Sequence, residues 1–240
     1  ASDPNYTMTY SAGTLTIESR LLVVTAINKG KVYDGQALPY NDFEVIYTGF
    51  VNGDGPQQLS GSLSFGAAST AINGGVYPIE PSGLSNPNYD LLYVNGQLTI
   101  NKAPLLVVAD EQSRCEGQPN PVFTYTITGF VNGETAAVLD VLPVGNTTAT
   151  INSSPGLYLI TFSGGTDNNY IVYYTDAYLN VTANPIVFAG NDATICATGV
   201  YTLADANVVG SDSFIWTTSG DGLFDNDHAL HPTYTPGSND

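Results

Sequence analysis

Apolar residues run along this chain in short blocks or in alternation with polar ones. Residues 21–27 and 105–109 are short apolar runs rich in β-branched side chains, the pattern of buried strands. Residues 43–50 and 122–130 alternate, which puts Val45 and Tyr47 on one face of a strand, and likewise Phe123, Tyr125 and Ile127. Residues 89–94 and 97–100 flank Asn95-Gly96, and that pair predicts a hairpin on a type I′ turn, because Asn and Gly tolerate φ > 0. Gly74-Gly75, Pro81-Ser82-Gly83 and Pro155-Gly156 mark turns. Residues 134–139 predict one helical turn at most, and the matching residues 55–59 are a poorer helix former. The reading is all-β: tandem Ig-like, sandwich-type repeats in an extended rod. Its rival is a β-grasp-like repeat in which residues 134–139 grow into a real helix.

The pattern repeats itself. Thr48-Gly49-Phe50-Val51-Asn52-Gly53 recurs from Thr128 to Gly133 at an offset of 80 residues, and Asp34-Gly35-Gln36 recurs as Glu116-Gly117-Gln118 at 82. Leu21-Leu22-Val23-Val24 matches Leu105-Leu106-Val107-Val108 at 84. Asn88-Tyr89, with Tyr93 and Leu98-Thr99-Ile100 after it, recurs as Asn169-Tyr170 with Tyr174 and Leu179-Asn180-Val181. Pro4-Asn5-Tyr6 through Leu15-Thr16-Ile17 is a third copy of that ending. Such drifting offsets mean loop insertions on a constant framework. Residues 1–19 therefore read as the last hairpin of a preceding repeat, 20–102 and 103–183 as two full repeats, and 184–240 as a different module. Ala1 falls inside a copy, so the chain reads as a section of a longer array. Asn101-Lys102-Ala103-Pro104 and Thr182-Ala183-Asn184-Pro185 leave little slack between modules, and proline stiffens them.

Charge narrows the partners. The 240 residues carry 22 Asp and Glu against 5 Lys and Arg, a net charge of −17. Clustered cations for nucleic acid are missing, anionic membranes are repelled, and no apolar run is long enough to span a bilayer. Every basic residue lies at or before Arg114. The surface beyond it must be built from Asn, Ser, Thr, Gly, Tyr and acids, a composition that favours an extracellular module.

Val32-Tyr33-Asp34-Gly35, Gly49-Phe50-Val51-Asn52-Gly53 and Asn88-Tyr89 resemble bacterial MBG-type repeats, although Cys115 replaces Tyr33 in the second copy. In the last module, Trp216 and Gly220-Asp221-Gly222 are similar to the Trp-x-x-x-Gly-Asp-Gly turn of PKD-like domains, here truncated, and residues 189–196 look like the entry of such a domain. The resemblance implies giant cell-surface adhesins of Bacteroidota, including gliding-motility adhesins exported by the type IX system. It implies a stalk whose partners are neighbouring repeats of the same chain and, at most, surface polysaccharide.

Candidate chemistry is thin. Asp221, Asp225, Asn226 and Asp227 crowd hard oxygens that suit calcium, although apolar Leu223 and Phe224 break the spacing of an EF-hand. Asp110-Glu111 and Asp54 are lesser candidates. Solvated turns explain the same residues. His228 and His231 stand near Asp225 and Asp227 without a third fixed zinc ligand. No set of residues here suggests an enzyme, and no cofactor is expected beyond calcium. Cys115 and Cys196 occupy comparable places in successive modules, so they are expected not to pair with each other; Cys115 reads as a buried or free thiol. Tyr158, Tyr173, Tyr178 and Trp216 do not recur and are the candidates for an exposed glycan platform, against the plainer reading of half-buried strand positions. The expected function is a structural spacer of a secreted or surface-anchored adhesin. A carbohydrate-binding module and an accessory region of a large secreted enzyme are the alternatives.

Overall fold

The computed structural model describes residues 4–196, 198–211 and 213–240. Among them there is no α-helix. Helical backbone is confined to short 3-10 stretches, among them Pro56–Gln58 and Ala136–Val138 at matching places in the two repeats. The β-grasp alternative therefore lacks its helix. Gly55 and Thr135 precede these turns with extended backbone, and Leu59 and Leu139 return to extended backbone after them.

The first repeat holds β1 (Arg20–Ala26), β2 (Lys29–Val32), β3 (Val45–Thr48), β4 (Ser60–Ser64), β5 (Gly75–Ile79), β6 (Ser82–Ser85), β7 (Tyr89–Val94) and β8 (Gly96–Asn101). They form two three-stranded sheets, β3-β1-β7 and β2-β8-β5, and the pair β4-β6. The second holds β9 (Ala103–Ala109), β10 (Gln112–Cys115), β11 (Tyr125–Thr128), β12 (Val144–Thr147), β13 (Gly156–Ser163), β14 (Tyr170–Thr175) and β15 (Ala177–Thr182). Its sheets are β11-β9-β14 and β10-β15-β13-β12. The last module holds β16 (Ile186–Phe188), β17 (Tyr201–Thr202), β18 (Asn207–Val209), β19 (Leu223–Phe224) and β20 (Thr233–Thr235), ordered β16-β18 and β17-β20-β19.

The hairpin expected at Asn95-Gly96 does not form. β7 and β8 lie in different sheets, and neither Asn95 nor Gly96 has positive φ. Instead β1 and β7 run parallel from Arg20↔Tyr89 to Thr25↔Val94, and β2 and β8 continue the pairing from Lys29↔Leu98 to Val32↔Asn101. The separation of 69 residues is the same on both sides, so two long segments cross together from one sheet into the other. Gly96 is needed there for space rather than for its dihedral: a Cβ would stand 2.8 Å from the Ala26 carbonyl oxygen. β14 and β15 likewise belong to different sheets.

The topology explains a second departure. Residues 7–19, expected as the closing strands of a hairpin, form no strand, and Tyr10, Leu15 and Ile17 are exposed. In the first repeat the closing strands pair with β1 and β2, and among the described residues no strand is paired with residues 7–19. The Leu-Leu-Val-Val match is also out by one residue. Buried Leu22, Val24 and Ala26 correspond to buried Leu105, Val107 and Ala109, an offset of 83, and a slip of one would turn each side chain to the opposite face.

The chain divides into two compact units. The first comprises Ala1–Leu106, Ile127–Leu142 and Gly164–Tyr173; the second comprises Val107–Thr126, Pro143–Ser163 and Tyr174–Asp240. In the first unit one core joins Phe43, Phe65, Ile79 and Leu98 of the first repeat to Ala103, Leu105, Leu139 and Tyr170 of the second. In the second unit Ile160, Phe162, Leu179 and Val181 are buried on β13 and β15. Arg114 is buried beside them at 8% exposure, its guanidinium donating to Asn120 Oδ1 (2.7 Å), the Cys115 carbonyl (3.0 Å) and the Thr150 carbonyl (2.5 Å). Among the described residues of 184–240 only Ala206, Gly222 and Pro232 are buried, and Ile186 and Leu223 lie open.

Candidate functional site

The recurring Gly-Phe-Val-Asn-Gly segment is a loop locked by the recurring tyrosine. Asn52 and Asn132 take the left-handed conformation, φ 56° and 54°, which asparagine tolerates better than most residues. The Val51 N–H donates to the Tyr89 hydroxyl at 3.2 Å, and that hydroxyl donates to Asp54 Oδ2 at 2.7 Å. In the second repeat the Val131 N–H donates to the Tyr170 hydroxyl at 3.1 Å, and the hydroxyl donates to Glu134 Oε2 at 2.5 Å. Phe50 and Phe130 meet these tyrosines edge to face, with centroids 5.4 Å apart in both repeats. Gly49 and Gly129 precede the phenylalanines at positive φ, where a Cβ would strike the Leu21 or Pro104 carbonyl oxygen at 2.5 Å.

On this loop of the second repeat the first repeat is seated, wholly within the first unit. Tyr33 is 5% exposed, donates to Glu134 Oε1 at 2.6 Å and meets the Tyr170 ring edge to face. Glu134 thus accepts one phenol on each carboxylate oxygen. Gln36 Nε2 donates to Asn132 Oδ1 at 3.1 Å, and the Gly74 N–H donates to Asn169 Oδ1 at 2.8 Å. Lys102 Nζ donates to the Asp167 carbonyl at 2.7 Å. Gly35, at φ +75°, lies so close that a Cβ would stand 2.6 Å from Asn132 Cβ. Hydrogen bonding to Glu134, burial and the carboxylate's charge hold the Tyr33 hydroxyl well above its ordinary pKa. Burial and the bond to Glu134 push Tyr170 up to about 12.

The residues singled out for chemistry are scattered. The Asp221 carboxylate accepts from Asn239 N (3.0 Å), Asn239 Nδ2 (2.9 Å) and Ser238 Oγ (3.1 Å), and these donors depress its pKa. Asp225 Oδ1 accepts from the Thr233 and Asn226 N–H groups, and Asn226 Oδ1 from the His228 N–H. Asp227 pairs with His228 Nδ1 at 3.1 Å, while His231 Nδ1 contacts the Leu203 carbonyl. Among the described residues no three His, Cys, Asp or Glu side chains are grouped to hold a metal ion. Asp54 serves Tyr89, and Asp110 Oδ2 accepts from Thr124 Oγ1.

Of the aromatic candidates, Tyr158 pairs with Leu179 on the buried face of the β13–β15 ladder, and Tyr178 pairs with Leu159 on the outer face. The two point to opposite sides of one sheet. Tyr173 is exposed on β14. Trp216 is half-buried, donates Nε1–H to the Ala229 carbonyl and packs near Phe214 and Phe224. Cys115 and Cys196 are free and exposed; Cys115 ends β10 with its side chain outward, while the adjacent Arg114 takes the inner face.

The sequence profile of the MBG domain (YGX type) matches residues 22–99 and again 105–180, so the chain belongs to that family. MBG domains are structural, non-catalytic repeats of extracellular surface proteins. None of the curated proteins compared with the chain matches it. Among the described residues no helix is long and apolar enough to cross a membrane.

Proposed function

We propose that this chain is a spacer segment in the stalk of a large secreted or surface-anchored bacterial adhesin. The observation that carries the reading is the joint: Tyr33, Glu134 and Tyr170 fasten two repeats through a shared core with no free linker between them. A hinge that merely tethered domains would leave these polar groups to water. Neighbour contacts of this kind let modules of about 80 residues gain stability they lack alone. In this reading residues 1–19 close a preceding repeat, 20–102 and 103–183 are spacer repeats, and 184–240 belong to a PKD-like module. The same stalk in a gliding adhesin exported by the type IX system would carry force from a moving anchor to the substratum. Small-angle scattering tests the spacer reading: a maximum dimension that grows by one repeat length for each repeat added supports it, and a particle that compacts on itself sinks it.

The exposed rings of Tyr173 and Tyr178 favour a second reading, a carbohydrate-binding module. Retardation of the chain in gels cast with surface polysaccharide, lost in Tyr173→Ala or Tyr178→Ala, would establish it. Calcium in the turn around Asp221 would show as retardation or melting that depends on chelator.

A further inference from the structure

The first repeat carries, unoccupied by any described side chain, the same acceptor face that the second repeat uses to hold Tyr33. Asn52, Asp54, Asn88 and Tyr89 stand where Asn132, Glu134, Asn169 and Tyr170 stand, with the same loop dihedral and the same tyrosine lock. The local frame repeats as well. Asn88 O accepts from the Arg20 N–H at 2.9 Å as Asn169 O accepts from the Ala103 N–H at 2.8 Å, and Asn86 Oδ1 caps the Asn88 N–H as Asp167 Oδ1 caps that of Asn169. What differs is occupancy. Asn132 and Asn169 are bonded to Gln36 and Gly74, whereas the side-chain amides of Asn52 and Asn88 have no hydrogen-bond partner among the described residues. Asp54 likewise uses Oδ2 alone. These groups line a cleft of about 270 Å³ that also touches Glu18 and Arg20.

We infer that this cleft is the socket for the Tyr-x-Gly-Gln end of another MBG repeat, the one whose closing segment is residues 4–19. That segment has the closing pattern of a repeat, Pro4-Asn5-Tyr6 to Leu15-Thr16-Ile17, and runs directly into the socket at Glu18 and Arg20. The incoming tyrosine donates to Asp54 Oδ1, the incoming glutamine to Asn52, and the glycine lets the two backbones close as Gly35 does on Asn132. Arg20 stands where the second repeat has Ala103, so a cation borders this cleft where the second repeat carries a methyl group. The second repeat presents Cys115-Glu116-Gly117-Gln118 in place of Tyr33-Asp34-Gly35-Gln36, and space lies open around Gly117. A tyrosine at this place therefore specifies that an MBG repeat follows, and its loss that a different module does.

The inference rests on the spacer reading for its purpose and not for its geometry. The test is the full chain extended by a copy of residues 20–83 placed ahead of Ala1, which completes a repeat with residues 1–19. Hydrogen exchange at the Asn52 and Gly53 amides is expected to slow by about tenfold or more on extension, and to revert when the added copy carries Tyr33→Phe and Gly35→Val. A folded extension that leaves these rates unchanged overturns the socket. If the extension does not fold, a peptide of residues 31–38 is titrated into the unmodified chain by NMR. Shifts of the Asn52 and Asn88 side-chain amides, with those of Asn132 and Asn169 unmoved, support the socket; no shift at millimolar peptide overturns it. A protected loop in a compact particle would end the spacer reading and leave the socket standing.

Discussion

Tyr33 and Glu134 lie 101 residues apart and meet across a 2.6 Å hydrogen bond. Phenol and carboxylate are both sheltered, and a bond to a charged acceptor contributes about 1.5 kcal/mol or more. Tyr33→Phe keeps the ring that meets Tyr170 and removes only this bond. Urea unfolding should show a loss of that order, while Tyr173→Phe, at an exposed ring, should stay within about 0.5 kcal/mol of the parent.

Alkali should open the same joint. A tyrosine whose folded pKa lies above its unfolded value of 10 keeps its proton when the unfolded chain has already lost it. The stability linked to Tyr33 and Tyr170 is therefore complete below pH 10 and falls as pH rises toward the Tyr170 value of about 12. Tyrosinate absorbance should show the Tyr33 and Tyr170 phenols ionising only well above pH 10. The double variant Tyr33→Phe, Tyr170→Phe should flatten the loss of stability between pH 10 and pH 12.

The strands and the repeat were legible because apolar blocks and alternation report directly on which face is buried. The crossover at Gly96 was not. Asn95-Gly96 has the composition of a tight turn, and nothing local says that the next strand pairs with β2, whose residues lie 69 positions earlier. The role of Tyr33 was half visible: its loss at Cys115 marked the position as different from the tyrosines that recur. Its partner Glu134 was hidden because the lock in the first repeat uses the shorter Asp54, so the spare reach of glutamate to a second phenol shows only in three dimensions.

The crossover predicts an asymmetry between the repeats. Gly96 has ordinary φ but a carbonyl 2.8 Å from where a Cβ would sit, whereas the matching Ala177 is accommodated and buried. Gly96→Ala should cost about 1–3 kcal/mol by overpacking. Ala177→Gly should cost less, about 0.5–1 kcal/mol, through chain entropy. Equilibrium unfolding of the two variants orders them, and a neutral Gly96→Ala would mean that the parallel pair is looser than described.

Asp221 holds the turn at residues 237–240 through Ser238 and Asn239. Removing it in Asp221→Ala should lower stability measurably, because the Ser238 and Asn239 donors then lose their acceptor. The loss should be equal with calcium and with chelator if the carboxylate serves the turn alone. A midpoint that rises with calcium in the parent and not in the variant would make Asp221 a cation ligand.

Arg114 is the last Lys or Arg of the chain and has no carboxylate partner among the described residues; its charge is held by carbonyl and amide oxygens from three segments. Asn120, one of those acceptors, donates in turn to the Ala149 carbonyl at 2.7 Å, so the guanidinium and this amide pin the strand-connecting loops of the second repeat. Arg114→Leu keeps the apolar stem but leaves the Thr150 carbonyl and the Asn120 amide short of partners. Unsatisfied buried groups cost about 1–3 kcal/mol each, so the expected loss is about 2 kcal/mol or more. Arg114→Lys should recover only part of it, because an ammonium cannot present the planar fork that reaches Asn120 and Thr150 together. Exchange at the Thr150–Ser153 turn, whose Thr150 N–H is bonded to Ser153 Oγ, should quicken in both variants. Unchanged exchange there would locate the arginine's contribution in the core packing of its stem.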